Sequence, residues 1–343
     1  MNTAVLARCW LLIGALCATA AAATAPQRQL VFSEYSPLSS SGEIARRLLS
    51  PLANLEISKF AAKSALSVQG QAIDLAQESF TVYVPADAPP QGYGVLVFIS
   101  PSENVGLPAG WASVLDKYHV IFVSASRSGN NENVLDRRVP LALLGAYNIA
   151  QRYPIDKDRV YLGGFSGGSR VAMRVGLAYP DLFRGVLLNA GSDPIGNGEA
   201  LLPSQELFER FQTSTRLVFV TGSVDDWNIE HDFASRQSLS DWCVYGTAVE
   251  TMQKVGHEIA VAYFLDRALT RLSEANSLNA AKLGACRDRI AADMRGKLQQ
   301  VRDLIDHDKL HDATRSLSKI DVRFGGLAAP QSVELSQTIA ARH

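Results

Sequence analysis

The sequence predicts an α/β protein: a mostly parallel central sheet with helices on both faces, followed by a C-terminal helical hairpin. Three observations carry this reading. Short apolar runs alternate with helix-like stretches from about residue 80 to residue 272. Several of those runs are continuously apolar, as strands covered on both faces are. Beyond about residue 272 the apolar positions step by threes and fours instead, which is the spacing of a helix face.

Bulk composition fits a soluble globular chain. Of 343 residues, 47% are hydrophobic and 20% charged, and the formal net charge is −1, so neither disorder nor a nucleic-acid surface is indicated. Residues 1–25 read as a signal peptide: Arg8 supplies a positive start, Trp10 to Ala20 is apolar, and Ala20-Ala21-Ala22-Ala23 offers cleavage sites. The apolar run is short for a membrane span, which needs ~20 residues, and cleavage is favoured over a retained anchor. Cys17 follows Gly14-Ala15-Leu16, without the Leu that a lipid-modified cysteine has three places earlier. The mature chain is therefore expected to be secreted or periplasmic, with no stable membrane insertion. Only Cys243 and Cys286 then remain. In an oxidising compartment the pair is expected to form a disulfide, the alternative being two separately buried thiols.

The elements follow in order. The N-terminal extension, 26–77, carries one expected helix, Glu43 to Leu49, with Ser40 and Glu43 spaced as a capping box and Pro51 ending or kinking it. Within the α/β domain, 78–272, the strands are Phe80–Val84, Gly94–Ile99, Val120–Val123, Val160–Leu162, Val186–Leu188 and Leu217–Val220. Helices are expected near Gly110–Lys117, Leu141–Arg152, Ser169–Ala178, Gln205–Phe211 and Ile259–Leu272. The C-terminal extension, 273–343, has one stripe running from Leu283 through Cys286, Ile290, Met294, Leu298 and Val301 to Ile305. A shorter stripe contains Leu310, Ala313, Leu317 and Ile320.

The chemistry lies in Val160-Tyr161-Leu162-Gly163-Gly164-Phe165-Ser166-Gly167-Gly168-Ser169, a strand running through Gly-x-Ser-x-Gly into a helix. A sharp strand-to-helix turn strains the central residue and presents its side chain above the sheet edge. Gly164 and Gly168 leave room for the chain to double back. Gly167 places an amide at the helix N-terminus, where an oxyanion would form. A serine nucleophile in this setting is followed along the chain by an acid and then a histidine. Leu217–Val220 precedes Thr221-Gly222-Ser223-Val224-Asp225-Asp226, and Asp225 is favoured over Asp226 as the acid. His257, after Gly256 and before a helix, is the expected base. His119 and His231 sit at the wrong places in the chain order, and His343 is a chain end. His307 and His311, spaced i, i+4 beside Asp306, Asp308 and Asp312, read as a solvated turn rather than as metal ligands.

The run from about Phe80 to Leu272 resembles the α/β-hydrolase superfamily, and within it the secreted polyhydroxybutyrate-depolymerase and feruloyl-esterase-like serine esterases. The matching pieces are the strand ending in Ile99-Ser100, the Asp156-Lys157-Asp158-Arg159-Val160-Tyr161 lead-in, the Gly-Phe-Ser-Gly-Gly turn, Gly222 to Asp225, and Gly256-His257. The resemblance implies hydrolysis of a carboxylic ester, small or polymeric, by Ser166, His257 and Asp225, with neither metal nor organic cofactor. Where many relatives have His-Gly, this chain has Ser100-Pro101-Ser102. Pro101 has no amide hydrogen to give, so register puts the second oxyanion donor, beside Gly167, at Ser102. Phe165 and Trp227 are the candidate substrate contacts. A peptidase or thioesterase on the same three residues, or an idle fold kept for binding, are the alternatives.

Overall fold

The computed structural model describes residues 27–64, 70–275 and 278–342. The expected signal peptide, with Cys9 and Cys17, and His343 lie outside the described residues.

Eight strands form one sheet: β1 (Arg28–Leu30), β2 (Phe80–Tyr83), β3 (Tyr93–Ile99), β4 (Val120–Ala125), β5 (Ile155–Phe165), β6 (Gly185–Asn189), β7 (Arg216–Gly222) and β8 (Thr247–Met252). Their order is β1-β2-β4-β3-β5-β6-β7-β8. β1 and β2 run antiparallel to the strands beside them, and every later pairing is parallel. This is the α/β-hydrolase fold. Strand order reverses at β3: the chain leaves β3 through α3 (Trp111–Tyr118) for β4, then returns through α4 (Val139–Arg152) to β5 on β3's other side. The loops leaving β3 and β5 therefore part around a crevice, the place where such sheets bind ligands.

Alternate residues of the central strands feed two cores. Val95, Val97 and Ile99 face one together with α4 and α5 (Gly167–Ala178). Leu96 and Phe98 face the other, with α3 and α8 (Ala262–Ser273). The six expected strands and five expected helices are all present. β1 and β8 are additional; β1 has three residues, and β8 is an edge strand whose Thr-Ala-Val-Glu-Thr-Met sequence is only weakly apolar.

The N-terminal extension departs from expectation. One helix, α1, spans Ser41–Leu48, and a second, α2, spans Pro51–Lys63. α1 ends ahead of Pro51 as expected, but Pro51 also starts a helix, because a first-turn residue has no intrahelical use for an amide hydrogen. The Ser50 hydroxyl accepts the Ala53 amide at 3.2 Å. Only half of the capping box forms: Ser40 Oγ accepts the Glu43 amide at 3.4 Å, while the Glu43 carboxylate turns to Arg46 and Arg47.

The C-terminal hairpin pairs α9 (Ala280–Asp306) with α10 (Leu310–Phe324). Leu298, Val301, Ile305, Leu317 and Ile320 are buried in the α4/α5-side core, so the two stripes dock on the chain's own domain. A further helix, α11 (Gln331–Arg342), buries only Ser332, Leu335 and Ile339, too sparse a stripe to have signalled itself. Asp321 of α10 accepts the Leu52 amide at 3.2 Å and the Ser50 hydroxyl, joining the two extensions. Cys243 and Cys286 form a disulfide with Cα atoms 5.9 Å apart, tying α9 to the segment that follows α7 (Asp226–Asp241). Among the described residues no helix is long and apolar enough to cross a membrane.

Candidate active site

β5 ends at Phe165 and α5 begins at Gly167, leaving Ser166 alone in the turn with φ 55° and ψ −124°. Positive φ is strained for a residue with a Cβ, and such strain persists only where the surroundings hold it. They do so by close approach. A Cβ on Gly164 would lie 2.4 Å from the Gly168 carbonyl carbon, and one on Gly168 would lie 2.0 Å from the Ile99 oxygen. The Ser166 amide is anchored to the Asn189 carbonyl at the end of β6, at 2.9 Å.

Asp225 follows β7 and the turn in which its amide donates to the Gly222 oxygen at 3.1 Å. The loop after β8 carries His257. Its Nδ1–H donates to Asp225 Oδ2 at 2.8 Å, and its Nε2 lies 2.9 Å from Ser166 Oγ. With the hydrogen on Nδ1, Nε2 is the acceptor and the serine hydroxyl the donor. Three side chains 91 and 32 positions apart in sequence thus form one hydrogen-bonded chain. Asp225 is buried; Asp226, its rival, is exposed in the first turn of α7.

Asn189, fully buried, holds the histidine loop. Its Oδ1 accepts the Ala260 amide at 2.7 Å, and its Nδ2 donates to the Val220 oxygen at 2.9 Å and the Glu258 oxygen at 3.3 Å. Sequence reasoning missed this residue, although an Asn closing a buried apolar strand is itself a signal, since a buried carboxamide must find partners.

Gly167 opens α5, so its amide is among the first-turn N–H groups that no helical carbonyl takes up. The Ser102 amide donates to Ser100 Oγ at 3.0 Å, within its own loop. Asn130, which no motif marks, lies against the turn: a Cβ on Gly167 would meet its Oδ1 at 2.2 Å. The Asn130 amide also donates to the Pro101 oxygen at 2.9 Å, clasping the loop that holds Ser102.

Beside His257 lies an open groove of about 530 Å³, whose walls include Ser102, Val105, Pro108, Phe165, Ile259 and Val261. The Phe165 ring sits 4.9 Å from the imidazole, centroid to centroid, and so forms both wall and support. Glu258 also lines the groove, and no Lys or Arg does. Trp227 lies outside that lining, on the α7 side of Asp225. It is 59% exposed, with the Arg170 guanidinium 4.6 Å from its ring and the His231 ring 4.0 Å away.

Three other histidines are engaged locally: His119 Nδ1 with the Asp87 oxygen, His231 Nδ1 with the Trp227 oxygen, and His307 Nδ1 with the Asp303 oxygen. Among the described residues no three His, Cys, Asp or Glu side chains gather as metal ligands would.

No protein-family model matches the chain. It is 30% identical over 139 residues to a poly(3-hydroxybutyrate) depolymerase of Ralstonia pickettii, a match covering 33% of this chain and 28% of that protein. The alignment thus spans under a third of that relative's length. Among solved structures it is similar to an acetyl xylan esterase of Aspergillus awamori (13% identity, TM-score 0.43, covering 57% of this chain and 95% of the other). It is also similar to an S-formylglutathione hydrolase of Staphylococcus aureus (14%, 0.42, 57% and 93%). A third similar structure is dipeptidyl peptidase 4 of Porphyromonas gingivalis (12%, 0.40, 57% and 33%).

Proposed function

We propose that the protein is a serine hydrolase that cleaves uncharged carboxylic esters through an acyl-enzyme on Ser166. The observation that carries this reading is the unbroken chain Ser166 Oγ–His257 Nε2 and His257 Nδ1–Asp225 Oδ2, at 2.9 and 2.8 Å, opening on a groove. His257 takes the hydroxyl proton as Ser166 Oγ attacks the carbonyl carbon, and Asp225 steadies the imidazolium. The Gly167 amide stabilises the oxyanion, joined by the Ser102 amide once it leaves Ser100. His257 returns the proton to the departing alcohol, and water then repeats the sequence to free the acid.

The groove supports an uncharged substrate. Its walls are largely apolar, and its single charged side chain is the carboxylate of Glu258, which disfavours a carboxylate-bearing acyl group. The partial match to a protein named as a poly(3-hydroxybutyrate) depolymerase supports an ester bond over an amide. Export is part of the same proposal. The Cys243–Cys286 disulfide fits an oxidising compartment, as the reading of residues 1–25 requires.

The test is purified protein against matched aryl esters, amides and thioesters, with fluorophosphonate labelling as an activity-independent probe. Ester turnover and labelling, both lost in Ser166→Ala, are expected. Faster turnover of the amide or thioester would reassign the acyl bond. Absence of both turnover and labelling in the parent would leave an idle fold and sink the proposal.

A further inference from the structure

We infer that Asn228 is a positioning residue that fixes the Asp225 carboxylate and, through it, the hydrogen on His257. The inference rests on the hydrolytic reading above. Asp225 occupies the N-cap of α7, where an aspartate ordinarily turns its carboxylate onto the first-turn amides. Here that cap bond is absent, because the carboxylate faces His257. The Asn228 side chain, on the first turn of the same helix and 2% exposed, supplies the missing donors. Its Nδ2 lies 3.0 Å from Asp225 Oδ1 and 2.8 Å from Oδ2.

The orientation of this carboxamide is dictated by its neighbours. Asn228 Oδ1 accepts from Arg170 Nη2 at 3.3 Å. Arg170 is itself fixed by the Ser192 oxygen at 2.7 Å, by the Asp193 carboxylate and by the Trp227 ring. Turned over, Asn228 would set an oxygen against a carboxylate and an NH₂ against a guanidinium. Its Nδ2 also lies 3.0 Å from His257 Nδ1. The two carboxylate oxygens lie too close together to take one Nδ2 hydrogen each, so they share one; the carboxylate, which only accepts, also takes the hydrogen of Nδ1, and Nε2 remains the acceptor that Ser166 needs. The charged groups around this cluster are Arg170, Asp193 and, deeper in α7, Asp232. Burial pushes the Asp232 carboxyl up, and it accepts the hydroxyls of Ser192 and Thr221.

Asn228→Asp keeps the shape of the side chain and removes its donors, whereas Asn228→Ala removes both shape and donors. Ester kcat is expected to fall on the order of ten- to a hundredfold in each, the scale of a misplaced reacting group. KM should move little, because Asn228 does not line the groove. The acidic limb of the kcat/KM profile should shift to higher pH, furthest in Asn228→Asp, since a second carboxylate favours the protonated imidazole. A residue that merely fills space would keep the parent's kcat in Asn228→Asp, and in the uncharged Asn228→Ala would leave the limb where it was. If Asn228→Ala does not fold, the matched Asp variant carries the test. A folded Asn228→Asp protein with the parent's kcat overturns the inference. Full activity in Ser166→Ala or His257→Ala would instead overturn the hydrolytic reading beneath it.

Discussion

The edge of the sheet that carries Ser166 and the paired extensions at the two chain ends are built on opposite terms. At the edge, polar groups are held in particular and partly strained arrangements: Ser166 at positive φ, buried Asp225 turned from its own helix, buried Asn189 sealed beneath a loop. In the extensions, apolar stripes pack on one core, and the buried Arg47 ties α1 to Asp181 of the α/β domain. None of the extension residues lines the groove beside His257. Geometry at the first site is useful only if it is kept; contacts at the second add to stability wherever they form. Changes at the edge should therefore remove turnover at nearly constant stability, and changes in the extensions should do the reverse.

The largest effect expected is at Ser166. Ser166→Ala or His257→Ala should lower kcat on the order of a million-fold. Alanine keeps the Cβ and so the same turn, and Ser166→Ala should leave the thermal midpoint nearly unchanged. A large fall in stability would break the comparison, by showing that the turn stabilises the fold as well as performing chemistry. Next comes Asp225→Ala, at about ten-thousand-fold, set against Asp226→Ala, which removes an exposed side chain and should leave most of the activity. Equal losses from both would show that helix α7 as a whole, rather than the one carboxylate, orients the imidazole.

What the sequence made legible divides along the same line. Strand periodicity and the Gly-x-Ser-x-Gly turn located Ser166, and chain order then located Asp225 and His257, because backbone geometry demands those residue types in that succession. Asn130, Asn189 and Asn228 were not visible. Asn189 and Asn228 act through side-chain hydrogen bonds to residues remote in sequence or to a neighbouring carboxylate, and Asn130 by lying against Gly167; no backbone constraint imposes a spacing on such contacts. A partial signal existed for Asn228: a polar residue three positions after an N-cap acid, on a helix not itself recognised. In the extensions the α9 and α10 stripes were legible by period. The first helix ends before Pro51 as expected, and the helix that Pro51 opens was not legible, because the same ring that breaks a helix interior is welcome at its first position. Trp227 was placed beside the acid correctly in sequence, yet the start of α7 turns it away from the groove.

The disulfide supplies the first test on the extension side. It closes a loop of 43 residues, and in the chain-entropy model such a link stabilises by about 4 kcal/mol, as an upper guide. Replacing Cys243 and Cys286 together by Ala should lower the denaturant midpoint markedly and leave kcat on the aryl ester within about twofold, since surface and packing changes far from a site seldom reach it. A matching fall in kcat at temperatures where the protein is folded would show that α9 braces the α7 segment that carries Asp225 and Asn228.

The smallest effect belongs to Glu43, and its pH dependence gives it a distinctive form. Arg46 and Arg47 hydrogen-bond its carboxylate and draw its pKa down from 4.5 to about 2, against the opposing pull of partial burial. Arg47 continues the contact into the α/β domain through Asp181, at 2.7 and 2.9 Å. A carboxyl whose pKa is lower folded than unfolded binds its proton more weakly in the native state, so it stabilises the fold above the unfolded value. That stabilisation is fully present above pH 4.5 and is lost as pH falls toward 2. Because the carboxylate is only partly buried and its Arg46 partner is half exposed, screening holds the contribution to about 1 kcal/mol or less. Glu43→Gln should therefore lower the thermal midpoint slightly at neutral pH, and the gap from the parent should close on acidification. Added salt should narrow the gap at neutral pH as well. A gap that persists unchanged at pH 2 would assign the effect to α1 packing rather than to charge, and ester turnover should be indifferent to either outcome.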